Sequence, residues 1–308
     1  MNESILITGA NIGLGKETAR QLALKKETKK VILFCRNQAK AEAAKKDLEE
    51  KTAKKIFEII IGDVSDTNSV RKAVEKIKEP IDAVILNAGG MVGKTAEKVT
   101  PSGMNELAAT NILGHVVLVE ELIKHEKLKK AVLSVSAEAV PGVKLLGMKP
   151  VSMRTSSVDE FAAVLDGSYF GNKFDVTQAY GYVKYVATMW TLSMARKYPN
   201  LKFVVVSPGN TQGTLAPNNL PPAMKFMLKY FMMPVVLPLM GGMVHKLEVG
   251  AKRFVDGISD ERYKSGVFYA SKEGKLSGDM VDQSTFFTVL KNTSFQDNAD
   301  KAIHRFIK

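Results

Sequence analysis

The sequence predicts an α/β chain built on a doubly wound parallel sheet, and three observations carry that expectation. Short apolar runs of strand length alternate with longer segments of helical period through most of the chain. A glycine-rich turn, TGANIGLG from Thr8 to Gly15, directly follows the first apolar run, Ile5, Leu6 and Ile7. The 308 residues are 45% hydrophobic and 25% charged, a soluble globular balance with enough material for a core. Such alternation specifies parallel strands covered by helices on both faces, because each crossover returns the chain across the sheet right-handedly.

The elements follow in order. SILITG is a first strand and KETARQLALKKE the helix after it. KVILFC is a second strand, and QAKAEAAKKDLEEKT a helix whose lysines form a solvated face. FEIIIGDV, SVRKAVEKI and DAVILNAG continue as strand, helix and strand. MNELAATNILGHVVLVEELIKH is a long helix, KAVLSVS the next strand, a helix runs from about Tyr180 to Lys197, and KFVVVSPG is the strand after it. No tandem repeat, low-complexity linker or uninterrupted apolar span of membrane length interrupts the pattern. The expectation is one domain over 1–308, with a core over about 1–215 and a less regular remainder.

Lysine and arginine exceed aspartate and glutamate by 44 to 32, giving +12. Because the lysines are dispersed through helices, a solvated surface is preferred over a nucleic-acid site. The single cysteine, Cys35, excludes an internal disulfide framework, and the first fifteen residues read as strand and turn rather than as a leader. A reduced, cytoplasmic compartment is therefore expected.

In the opening turn, Gly9 permits a tight bend, Gly13 lets backbone N–H groups approach a pyrophosphate, and Gly15 lets the next helix pack on the sheet. Asn11 and Leu14 complete the loop. TGANIGLG, then Asp63-Val64 after the third strand, then Asn87-Ala88-Gly89 after the fourth, resemble the short-chain dehydrogenase/reductase family in order and spacing. The resemblance implies a Rossmann fold and a nicotinamide cofactor. It places Asp63 at the adenine amino group, with a helix cap before SDTNSV as the local alternative. It places Asn87 at the sheet centre, Ala88 and Gly89 beside the adenine ribose, and Asn111 at a helix bend that orders a water in the proton relay. At the end of the second strand, VILFCRN has no carboxylate to mark NAD; Arg36 stands there, suited to a 2′-phosphate, with Asn11 and Lys16 adding polar and positive groups, so NADP(H) is the expected cofactor.

The family resemblance also implies a tyrosine proton donor with a lysine four residues later that lowers the phenol's pKa and holds the nicotinamide ribose. YxxxK occurs three times. Tyr169 with Lys173 lies between glycines, and Tyr198 with Lys202 precedes a helix-ending Pro199. Tyr180 with Lys184 opens a helix in which Val183, Val186, Ala187, Trp190 and Met194 make a buried stripe, leaving the pair together on another face. Pro208 and Gly209 resemble the segment that closes over the nicotinamide, with Thr211 or Thr214 as the accompanying threonine. The family's substrate-binding serine aligns with Ala137; Ser136 is the substitute, provided a bulge or an early strand end brings it to the site. About 40 residues separate this strand from Tyr180, a spacing that resembles carbonyl reductases and light-dependent protochlorophyllide reductases.

Pro221 to Lys246 falls where the family's substrate lid lies; its clustered methionines offer an adaptable apolar surface or core packing, and Pro234 and Pro238 oppose a straight membrane span. GVFYASKEGK resembles the family's last strand. Together these readings give an NADPH-dependent reductase of a hydrophobic small-molecule aldehyde or ketone, with no metal, acting as a homo-oligomer. Two alternatives accompany it: a catalytically weak NADP(H)-binding sensor or scaffold, and a peripheral membrane protein using the methionine segment.

Overall fold

The computed structural model describes residues 2–93, 95–142, 149–212 and 244–307. The strands are β1 Ser4–Thr8, β2 Lys30–Cys35, β3 Phe57–Ile61, β4 Ile81–Leu86, β5 Leu128–Val135, β6 Lys202–Val206, β7 Val267–Ser271 and β8 Met280–Asp282. They form one sheet of order β3-β2-β1-β4-β5-β6-β7-β8. The first seven are parallel, and β8 returns antiparallel against β7 with Tyr269 opposite Asp282. The expected last strand is thus β7, but it is not last: β8 follows it at the sheet edge, too short to show an apolar period. Strand order reverses between β1 and β4, the place where such sheets open a crevice at their carboxyl ends.

The helices are α1 Gly13–Ala23, α2 Gln38–Thr52, α3 Thr67–Glu75, the short turn α4 Glu106–Ala108, α5 Gly114–Lys124, α6 Val158–Asp166, α7 Val176–Lys197, α8 Leu247–Ser259 and α9 Thr293–His304. One apolar core sits beneath α1, α2 and α8, and a second, larger one lies on the opposite face with α3, α5, α7 and α9. All six residues of β4 are buried, as a strand covered on both faces requires. Among the described residues, no helix is long and apolar enough to cross a membrane.

Local chemistry sets the helix starts. Asn37 caps α2 by accepting from Lys40 N, Asp175 caps α7 by accepting from Gln178 N, and Asp66 caps α3 by accepting from Asn68 N and Ser69 N. Asp66 therefore takes the capping role that the sequence left open for Asp63, whose carboxylate instead accepts from the amide and hydroxyl of Ser65. The Asp175 cap starts α7 one turn before Tyr180. The helix is also not two-faced as expected: from Val183 to Met194 every residue is buried, because the sheet, α9 and α6 enclose it.

A π turn, Ala109–Leu113, separates α4 from α5. Its cause is visible at Gly114, whose amide leaves the helical ladder to donate to the Val64 carbonyl at 2.9 Å. A Cβ there would lie 2.2 Å from that oxygen. Gly114→Ala should therefore lower unfolding free energy by about 3 kcal/mol, measured by denaturant titration, because neither backbone segment can retreat from a packed core.

Candidate active site

The glycine turn lies where the strand order reverses. Gly9 (φ +67) and Gly13 (φ +56) hold left-handed conformations that favour glycine. A Cβ on Gly15 would come within 2.5 Å of both Asn87 Nδ2 and the Gly9 carbonyl, so the start of α1 docks on the turn without a side chain between. A Cβ on Gly13 would meet nothing within 4 Å. Gly13 thus borders open space at the first turn of α1, which has no side-chain cap and no acidic residue. Free helix-start amides beside an open glycine fit a phosphate.

The surrounding residues are tied to this turn. Asn87 Nδ2 donates to the Thr8 carbonyl at 2.9 Å, and Ala88 N donates to Thr8 Oγ1 at 2.9 Å. Gly89 packs against Asn111: a Cβ on Gly89 would meet Asn111 Oδ1 at 2.5 Å. The Cys35 thiol, under hydrogen bonds from Ala10 and Asn11, is pushed up to about 11 by burial. Leu14 is partly buried and faces Gly250 of α8. Lys16 turns to Asp47 on α2 at 2.8 Å and does not add its charge to the turn, another departure from expectation. Arg36 is exposed immediately after β2. Asp63 is partly buried and Val64 is buried, its carbonyl held by Gly114.

The second half of the site is built on α7 and the π turn. Asn111 Nδ2 donates to the carbonyls of Leu107 and Gly90, and its Oδ1 accepts from Gly90 N at 3.0 Å. Its side chain thereby clamps the β4 loop to the bend. Tyr180 and Lys184 lie one turn apart on α7, with the ammonium 5.6 Å from the phenol ring centroid. Lys184 Nζ donates to the Val135 carbonyl at 3.0 Å, at the last residue of β5. Burial raises the phenol to about 12 and lowers the ammonium to about 8. The phenol thus stands above its ordinary range, the direction that loss of water gives.

β5 ends at Val135, and the early end brings Ser136 against α7. Its hydroxyl lies 2.8 Å from Thr188 Oγ1, which donates its own proton to the Lys184 carbonyl at 2.8 Å. With Thr188's proton committed, Ser136 must be the donor in that pair. Its partner is thus Thr188, two turns along the helix from Tyr180.

Sequence reasoning missed His115, although it stands four residues after Asn111 and so on the same helix face. It is buried; Nδ1 donates to the Asn111 carbonyl at 3.2 Å and Nε2 accepts from Thr8 Oγ1 at 3.0 Å, a tautomer assigned from the carbonyl partner. Burial, aided by the Lys184 charge, lowers it to about 3 and keeps it neutral. The chain Ala88–Thr8–His115–Asn111 joins the glycine turn to the π turn.

Pro208, Gly209 and Thr211 follow β6. The Thr211 hydroxyl lies 3.1 Å from His245 Nε2 and is buried, while His245 Nε2 lies 2.7 Å from the Pro208 carbonyl. Among the described residues, Asn210 Oδ1 and His245 Nδ1 are buried without a hydrogen-bond partner. Thr214 and the methionine segment up to Met243 lie outside the described residues.

The family model "short chain dehydrogenase" matches residues 3–140, just under half of the chain, the part that carries the glycine turn, Asp63, Asn87 and Asn111. The dehydrogenase/reductase SDR family member 12 of Bos taurus is 31% identical over 210 residues, covering 67% of this chain, which spans 60% of that protein's length. The chloroplastic protochlorophyllide reductase of Cucumis sativus is 28% identical over 304 residues, covering 91% of this chain and 74% of the relative. An NADPH-bound carbonyl reductase from chicken fatty liver shares the fold, with a TM-score of 0.57 and 19% identity over 90% of this chain and 99% of that one. The matched residues, the relatives and the sheet order agree, and the chain belongs to the short-chain dehydrogenase/reductase family.

Proposed function

We propose that the chain is an NADPH-dependent oxidoreductase that reduces a hydrophobic aldehyde or ketone, with Tyr180 delivering the proton. The observation that carries this reading is the Tyr180–Lys184 pair, anchored through Val135 at the end of β5 on the same sheet edge as the glycine turn. When bound, a nicotinamide cofactor supplies the hydride. In this reading Gly9, Asn11, Gly13, Leu14 and Gly15 hold the pyrophosphate, and Arg36 pairs with the 2′-phosphate. Asp63 and Val64 border the adenine, while Asn87, Ala88 and Gly89 back the ribose. Pro208, Gly209 and Thr211 form the wall behind the nicotinamide, where the unpartnered Asn210 Oδ1 and His245 Nδ1 fit a carboxamide.

Tyr180 protonates the developing alkoxide from its hydroxyl. Lys184, charged, stabilises the resulting phenolate, and Asn111 orders the water through which the proton is replaced. Ser136 is the second donor to the substrate oxygen, its hydroxyl turning from Thr188 when substrate arrives. A hydrophobic substrate is supported by the methionine-rich sequence and by the cucumber relative, which is named a protochlorophyllide reductase.

A second reading, a catalytically weak NADP(H)-binding sensor, is favoured by Ala137 and by the commitment of the Ser136 proton to Thr188. Mutants separate the two. In the enzyme, Tyr180→Phe abolishes NADPH oxidation with a reactive aldehyde while NADPH binding survives, and Ser136→Ala slows it about a hundredfold. An unchanged rate in both variants leaves only the sensor, and a rate gain in Ala137→Ser with none lost in Ser136→Ala removes Ser136 from the site.

For the cofactor, fluorescence titration should show NADPH bound more tightly than NADH, and Arg36→Ala should erase about 2 kcal/mol of that difference. Equal affinities in the unmodified chain overturn the assignment. The rate should also fall as pH rises through about 8, where Lys184 loses its proton and with it the charge that stabilises the phenolate. Lys184→Met should give a low rate without that alkaline limb.

A further inference from the structure

Behind the nicotinamide wall lies a charged pair that the reaction does not use. Glu138 and Arg253 are 9% and 4% exposed, and their nearest charged atoms stand 3.4 Å apart. Glu138 Oε1 also accepts from the amide and hydroxyl of Ser271, at 3.1 and 2.9 Å. Arg253 Nη1 donates to the Ser207 carbonyl at 3.1 Å, and Nη2 donates to Ser271 Oγ at 2.9 Å and to the Gly278 carbonyl at 2.8 Å. One side-chain pair thus fastens the segments that follow β5, β6 and β7 to α8.

A buried ion pair is weak evidence for stability, since well-packed apolar residues of the same volume serve a core as well or better. What it does that apolar residues cannot is fix positions through directed bonds. The position fixed here is that of Gly209: a Cβ on it would lie 2.8 Å from Arg253 Nη1 and 2.7 Å from the Leu276 carbonyl. The guanidinium therefore packs directly against the Pro208–Gly209 turn, and the Leu276 carbonyl also accepts from Asn210 N at 2.7 Å. On the same turn, Asn210 Oδ1 is buried without a partner.

We infer that Glu138 and Arg253 are positioning residues for the nicotinamide end of the cleft: the pair sets the height of the Pro208–Gly209 turn above the sheet and so the fit of the nicotinamide, without touching it. The inference rests on the cofactor reading above. Its consequence is selective, because the adenine half of the cofactor is held by other strands.

The test titrates the full chain and its Glu138→Gln variant with NADPH and, separately, with 2′,5′-ADP, which carries the adenine side alone. NADPH should weaken by about tenfold while 2′,5′-ADP stays within about twofold. Ser271→Ala removes the hydroxyl shared by both partners but no charge; it should shift NADPH in the same direction by less, and it serves if Glu138→Gln does not fold. Equal weakening of both ligands, or unchanged NADPH affinity in a folded variant, overturns the positioning role. An unmodified chain that binds neither ligand overturns the cofactor reading itself, and with it this inference, before any variant is compared.

Discussion

The hydrogen bond from Asn87 to the Thr8 carbonyl is the contact on which the site depends. It joins the ends of β1 and β4 at the point where the strand order reverses. Because parallel strands end in step, the loops leaving them would diverge; the Asn87 side chain and the Ala88 amide, both bonded to Thr8, hold these two together. Gly15 then packs on that same amide, which fixes the angle of α1 and aims its free amides at the open side of Gly13. The Thr8 hydroxyl carries the constraint onward through His115 to Asn111, so the glycine turn and the helix bend are parts of one hydrogen-bonded frame.

Burial then determines the electrostatics. Lys184 and His115 are buried and Tyr180 is partly buried, and each moves toward its neutral form: the phenol rises, and the ammonium and imidazole fall. A neutral His115 is what the frame needs, since it donates through one nitrogen and accepts through the other. Lys184 retains one firm partner, the Val135 carbonyl, which holds its ammonium beside the phenol without neutralising it. The surface follows different rules. There the basic excess is dispersed into exposed pairs such as Lys29 with Glu3, and Arg36 stands exposed at the end of β2.

Sequence alone determined the alternation of strands and helices, the glycine turn, and a helix that carries Tyr180 and Lys184 one turn apart. Those features are local: apolar period, glycine content and a helix-ending proline can be read within a few residues. It could not give the start of α7, because a cap by Asp175 competes on equal terms with other turn residues nearby. Nor could it show that α7 is buried on all sides, since that depends on α6 and α9, which come from distant parts of the chain. The short β8 escaped because three residues carry no period.

Tertiary structure alone decided what each polar group does once folded. The sequence leaves Asp63 open as a cap, and the path of the chain into α3 selects Asp66 instead. The sequence does not show that Asn111 and the Val64 carbonyl occupy the space where side chains on Gly89 and Gly114 would be. Ser136 faces Thr188, Lys16 turns to Asp47, and Glu138 meets Arg253 across 115 positions of sequence. The physical reason is common to all of them: a period in the sequence determines which face an apolar residue presents, whereas a hydrogen bond requires a partner within about 3 Å, and which groups come that close is decided by packing.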